Sequence, residues 1–259
     1  MGKTINNYVH PHSIVRRIWG KADTILLIFA GAAAEFALNK AVDWLYFTGR
    51  LPSDPLGRLF STVAYAREII FSSTEQANTA IDKMKNIHSA VEGARGQSIP
   101  DAAYRDVLFM LIHYSISAHE ALEKKLSMKE KEEVVEVFCR VGRRMQIPDL
   151  PSGFNEWAKM YDHHIKNNLI RSSFTADLFK QYRKHLGIIR YIILIEAQKL
   201  VVTPQVRALL QLGSPVLIRP LLKLYRISRK IKADHILKFV LLPPLYKQRI
   251  RMLDVQPGT

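Results

Sequence analysis

The sequence predicts an all-α protein, a single helical domain of about eight to ten helices. Three observations carry that prediction. Apolar residues recur at three-to-four spacing through most of the chain. No run alternates apolar and polar residues between hairpin turns. Ser- and Thr-led capping patterns and Gly or Pro stops recur at intervals of a helix length.

Composition agrees with a packed domain. The chain has 259 residues, 48% hydrophobic and 24% charged, which is long enough and apolar enough to bury a core. The lone cysteine, Cys139, excludes an intramolecular disulfide and a Cys-based zinc or iron–sulfur site, and reads as a small buried apolar residue. A formal charge of +15 favours an anionic partner: nucleic acid, anionic lipid or an acidic protein. Residues Met1–Ser13 are polar and show no signal-peptide pattern. The low-charge stretch Thr24–Ala34 is short of the roughly 20 residues that cross a bilayer, and Glu35 and Lys40 follow it. The expectation is a soluble, cytoplasmic protein, peripheral to a membrane if it meets one.

The elements follow in order. A first helical stretch covers Ile14 to Phe47, with Gly20 and Gly31 as breaks. Pro52 and Pro55 impose an extended turn. A helix from Leu56 to Phe71 follows, then a capping box at Ser72 and Glu75 opens one that stops at Gly93. The next spans Asp101 to Leu126, and a second capping box, Ser127 with Glu130, opens a helix to Met145. Helices over Ser152–Asn168 and Ser173–Leu200 and a short one from Thr203-Pro204 complete the domain. The boundaries expected are 1–213 for the helical domain and 214–259 for a basic, Pro-containing extension packed on it or facing a membrane surface.

Two histidines fall where chemistry is expected. Ala77, Ala80/Ile81, Met84, Ile87/His88 and Val91 form an apolar stripe, which puts His88 on or beside a buried face. A neutral imidazole there ligates a metal or is a core histidine bonded to a carbonyl. His113 sits in a run, Val107 to Ile116, that is apolar almost all round, so it is a ligand, an orienting group, a pocket wall or a satisfied core residue. Arg58 and Thr62, four apart, share a face. Glu35, behind an apolar run, is an acid/base candidate or a salt-bridge partner of Lys40 or Arg58. His163 and His164 diverge by about 100° on a helix and read as a solvated pair.

These residues carry a resemblance. Asp54-Pro-Leu-Gly-Arg58-Leu-x-x-Thr62, then Ile87-His88-x-x-Val91-x-Gly93, then Tyr104-x-Asp106 leading into Leu111-Ile-His113 resemble the core pattern of the latex-clearing-protein/MpaB-type oxygenases. The match covers about Ile14 to Leu126 and is looser beyond it. It implies helices around a haem b pocket, with His88 as the proximal iron ligand. Arg58 and Thr62 would lie on the haem-pocket side, with His113 a pocket residue and Glu35 or His113 managing protons. Two positions depart from the pattern. Ser61 stands where the rubber-cleaving branch carries a lysine, and Ala33-Ala-Glu35-Phe stands where many relatives carry Ala-His-Pro. Rubber as the substrate is thereby put in doubt.

The function the resemblance implies is a haem b-dependent oxygenase acting with O₂ on a hydrophobic, isoprenoid-like small molecule. The alternatives are a non-catalytic haem protein of the same fold and a cofactor-free basic helical protein that binds a membrane surface or an acidic partner. From Val216 to Arg251 ten Lys and Arg residues are interleaved with aliphatics and Asp234 is the sole acid, so this segment either packs with a solvated basic face or contacts lipid. No nucleic-acid module is recognisable, and no nucleic acid is expected as a partner.

Overall fold

Ser13 begins the first helix because its hydroxyl accepts from the Val15 amide, freeing Ile14, Val15, Ile18 and Trp19 of α1 (Ile14–Trp19) to enter the core. Gly20 ends it. α2 (Ala22–Phe36) follows, buried on nearly every side, and then α3 (Asp43–Phe47). This computed structural model describes residues 6–47, 54–215 and 220, and the side chains of Leu45, Pro55, Leu56, Arg58 and Leu59 are also outside the description. The remaining elements are α4 (Pro55–Phe71), α5 (Thr74–Arg95), α6 (Asp101–Leu122), α7 (Met128–Arg144), α8 (Phe154–Asn167), α9 (Ser173–Val201) and α10 (Pro204–Leu209). The described residues are all-α; their only bridges are the isolated pairs Asn7 with Ser73 and Asn39 with Leu169. None of the described helices is long and apolar enough to cross a membrane.

The central layer is α2 against α6, with α9 laid over both. Gly31 permits this. A Cβ there would stand 2.2 Å from Cδ1 of Tyr114 on α6 and 2.9 Å from Cγ2 of Val201 on α9. Gly31 is therefore a contact point inside α2 and not the break that the sequence predicts. On the other side, the buried Arg67 of α4 donates to the Trp19 carbonyl at 2.6 Å, and Trp19 Nε1 donates to Ser115 of α6 at 3.1 Å, which locks α1 to both. Cys139 is fully buried in α7, as its isolation in the sequence predicts.

The connections matter as much as the helices. The α2–α3 and α8–α9 connections pair through the Lys40 amide to the Asn168 carbonyl (3.0 Å) and the Ile170 amide to the Leu38 carbonyl (2.7 Å). This bridge sets Asn39 and Asn168 side by side at the end of the bundle.

Several boundaries differ from the sequence reading. Ser73 with Gln76, one residue later than Ser72 with Glu75, forms the capping box of α5. That helix ends at Gly96, with φ of 69°, not at Gly93, so three more residues remain helical. α6 stops at Leu122, and α9 is broken at Gly187, where φ 72° and ψ 170° leave the helical region. The box at Ser127 and Glu130 and the start at Thr203 stand as predicted. Of the basic extension assigned to 214–259, all but residues 214, 215 and 220 lie outside the described residues.

Gly31→Ala should lower stability by about 2 kcal/mol, because overpacking against Tyr114 and Val201 outweighs a gain of about 1 kcal/mol in helix propensity. Denaturant unfolding of the two proteins would decide it; equal or higher stability of the alanine variant would mean that α2 and α6 are not in this close contact.

Candidate functional site

α8 is built to deliver one face inward. Trp157, Tyr161, His164 and Ile165 are buried at the i, i+4, i+7 and i+8 spacing of an amphipathic helix. Gly153 gives the helix no side-chain cap, and Glu132 of α7 supplies one from outside by accepting from the Phe154 amide at 2.8 Å. The helix is thereby set against α7 and α6, with Trp157 stacked on Tyr161 at 5.3 Å and 12° and Tyr161 stacked on His113 at 4.7 Å and 24°.

At the centre is Glu35, only 1% exposed near the end of α2. Its Oε2 accepts from the phenol of Tyr161 at 2.6 Å and from that of Tyr114 at 2.8 Å. Its Oε1 lies 3.3 Å from His164 Nε2. The other ring nitrogen, Nδ1, is in ionic contact with Asp106 Oδ1 at 2.8 Å. Asp106, itself buried, accepts from Asn39 at 3.1 Å and from Asn168 at 3.2 Å. A carboxyl–imidazole–carboxyl chain thus runs through the bundle. Its Asp106 end opens onto a surface cleft of about 260 Å³ rimmed by Arg105, Lys159 and His163.

The electrostatics follow from that packing. Burial alone would lower the pKa of His164, but the contacts with Asp106 and Glu35 overcome it and push the value up to about 9, so the ring is a cation at neutral pH. Burial and the neighbouring Glu35 hold Tyr114 and Tyr161 well above the ordinary phenol range, so both remain donors. His113 moves the other way. Burial lowers its pKa, partly offset by Glu35 and by a backbone hydrogen bond at Val201. It is a neutral ring, with Nε2 3.2 Å from the Ser117 hydroxyl.

The structure brings some of the predicted residues together and leaves others apart. Glu35 and His113 share this cluster through Tyr114 and Tyr161. Glu35 pairs with His164 and not with Lys40, whose Nζ instead donates to the Asn167 carbonyl. The reading of His163 and His164 as a solvated pair is corrected: His163 is exposed, but His164 is 3% exposed and the hub of the cluster. Tyr114, Tyr161, Asp106 and His164 were not singled out as site residues, although the Trp157–Tyr161–His164 spacing carried the signal.

His88 belongs to a different neighbourhood. Its α5 stripe is buried at Ala77, Ala80 and Ile81 but opens toward the C-terminal end, where Ile87 is 38% exposed and His88 half-buried. The His88 ring packs on Tyr104, centroids 5.3 Å apart and planes at 58°. Tyr104 and His113 are nine residues apart on α6, about half a turn round and roughly 13 Å along, so His88 and His113 do not share one pocket wall. The half-buried Thr62 is on α4. Arg58 is helical in α4 and its side chain lies outside the described residues. α4 and α5 pack on one another across a short turn; Arg58 stands fourteen residues before Ser72 and His88 fifteen after Ser73, at matching distances from it. Among the described residues no group of three or more His, Cys, Asp or Glu side chains is placed to hold a metal ion.

Compared with protein families, residues 16–253 match the model of the ER-bound oxygenase mpaB/B′ and rubber oxygenase catalytic domain. Comparison with curated proteins and with solved structures returned no match.

His164 makes stability pH-dependent. Its folded pKa of about 9 lies above the ordinary 6.5. The stabilisation is therefore complete below about pH 6.5 and is lost as the pH rises through 9, a change on the order of 3 kcal/mol. Glu35→Gln removes one of the two carboxylates and should move that decline to lower pH. Urea midpoints between pH 6 and 10 check both, and a flat profile for the wild-type protein would rule out a charged His164.

Proposed function

Because the chain belongs to the family of mpaB-type and rubber oxygenase catalytic domains, we propose that it is a haem b-dependent oxygenase, in which His88 would ligate the iron and a hydrophobic, isoprenoid-like molecule would be the substrate. The observation that carries the reading is His88 itself. It is an imidazole at the half-open end of an otherwise buried helical stripe, in the position that the sequence pattern assigns to the iron ligand. The donor chemistry suits a haem: the porphyrin brings four nitrogens and asks the protein for one imidazole, whereas a protein-caged metal ion asks for three or more side chains.

The roles of the chain's own residues follow from their surroundings. Tyr104 braces the His88 ring, which fixes the direction its nitrogens face. Arg58 and Thr62, on the helix that packs against α5, would offer a cation for an anionic group and a hydroxyl donor. When bound, the haem supplies the redox chemistry by which dioxygen adds to an alkene-like substrate.

Protons are held by the Glu35 cluster. His164 meets Glu35 Oε1 through Nε2 and Asp106, the carboxylate on the cleft side, through Nδ1. Glu35 is thus a buried acid/base group with an ionisable neighbour between it and solvent. His113, neutral and stacked on Tyr161, orients the phenol that donates to Glu35.

Protein produced with added haem precursor should show a Soret band that shifts on dithionite reduction, and His88→Ala should abolish it while leaving the helical circular-dichroism spectrum intact. The ferrous protein should consume O₂ with an isoprenoid oligomer, an uptake read with an oxygen electrode. A colourless wild-type protein that takes up no haemin, or a Soret band unchanged by His88→Ala, would overturn the assignment.

A further inference from the structure

α9 leaves the core in its middle. Its first half is held by Thr175, whose hydroxyl donates to the Ala37 carbonyl at 2.7 Å, and by buried Leu178 and Tyr182. Its last turns are held by buried Glu196, Gln198 and Val201. Between them Gly187 adopts φ 72° and ψ 170° and turns the chain into a corner. A residue with a Cβ is strained at that φ, and a Cβ added there would meet nothing within 4 Å, so the position asks for glycine through its backbone conformation and not through crowding.

That corner carries three large aliphatic side chains in water. Ile188, Ile189 and Ile192 are 63%, 76% and 48% exposed. They sit at i, i+1 and i+4 after the bend and so spread over about 100° of the helix surface. Single exposed aliphatics are ordinary, but three together at a projecting corner mark a surface that something covers. Exposed Arg183 and Lys184 form a cationic shoulder just before the bend.

We propose that this corner is a docking surface for an anionic lipid leaflet, the isoleucines entering the acyl boundary and Arg183 and Lys184 meeting the headgroup phosphates. Charge selects this occupant. A second copy of the chain carries +15 and meets the shoulder with like charge. Residues 216–251 have Asp234 as their sole acid against ten Lys and Arg, so by composition they carry little negative charge to offer that shoulder. An anionic bilayer offers both the apolar interior and the negative surface. The inference is independent of haem binding, because none of these residues touches the Glu35 cluster or His88.

The test is flotation of the full chain with phosphatidylcholine vesicles, with and without phosphatidylserine. The wild-type protein should float with the anionic vesicles, much less with neutral ones, and less as salt is raised. Replacing Ile188, Ile189 and Ile192 with serine should weaken binding to anionic vesicles by at least about tenfold, and Arg183→Glu with Lys184→Glu should do the same. An Ile189→Trp variant reads the contact without removing the apolar face: its added emission should shift to the blue on anionic vesicles. Flotation of the serine variant equal to wild type, or an unshifted tryptophan, would overturn the proposal. So would a wild-type protein that floats with neither vesicle, or a wild-type dimer that the serine changes convert to monomer.

Discussion

A positive charge held between two buried carboxylates is the constraint around which this bundle is arranged. Glu35, His164 and Asp106 come from three helices, α2, α8 and α6, and each is almost fully removed from water. Ion pairs at such depth cost much desolvation and persist only when the remaining lone pairs are satisfied. Here they are. Two phenols complete Glu35, and two asparagine amides complete Asp106. The amides are in place because the α2–α3 and α8–α9 connections bridge each other, so two loop segments answer to one aspartate.

The surrounding packing serves the same arrangement. Gly31 lets the Tyr114 ring lie against the α2 backbone, one turn from Glu35, so the phenol reaches the carboxyl. The aromatic stack Trp157–Tyr161–His113 holds the second phenol from the other side. Two histidines in one cluster consequently titrate in opposite directions. His164 faces carboxylates on both nitrogens and is a cation, while His113 faces a hydroxyl and a carbonyl and is neutral. The difference lies in the partners each ring meets: desolvation lowers both, and only His164 has two carboxylates in direct contact to overcome it.

The two regions with chemical promise are separate in space. His88 stands at the open end of the α5 stripe, beside Tyr104, and the Glu35 cluster lies on the far side of α6 with its own cleft. His88 and Glu35 thus meet one central helix at different points, His88 packing on Tyr104 and Glu35 accepting from Tyr114. The exposed corner of α9 is a third region, and its isoleucines belong to neither.

Helices and caps were legible because they are local: Ser127 with Glu130, Thr203, and the stripe of α5 each depend on residues within a turn or two. The ordered pattern around Arg58, Thr62, His88 and His113 likewise sufficed to reach the oxygenase family, since it spans several elements in a fixed order. The Glu35 cluster was not legible. Glu35 is 79, 126 and 129 residues along the chain from Tyr114, Tyr161 and His164, and adjacent His163 and His164 look alike until tertiary packing sends one to solvent and the other inward. Gly31 and Gly187 show the same limit. The sequence reading broke the helix at Gly31 and ran it through Gly187; packing kept the first helical because Tyr114 fills the space its missing Cβ leaves, while the second leaves the helical region at a φ of 72°. The sequence by itself determined the helices and the family. Which side chains share a buried charge, and which aliphatics are left in water, was decided only by the tertiary structure, because burial and pairing energies depend on neighbours distant in the chain.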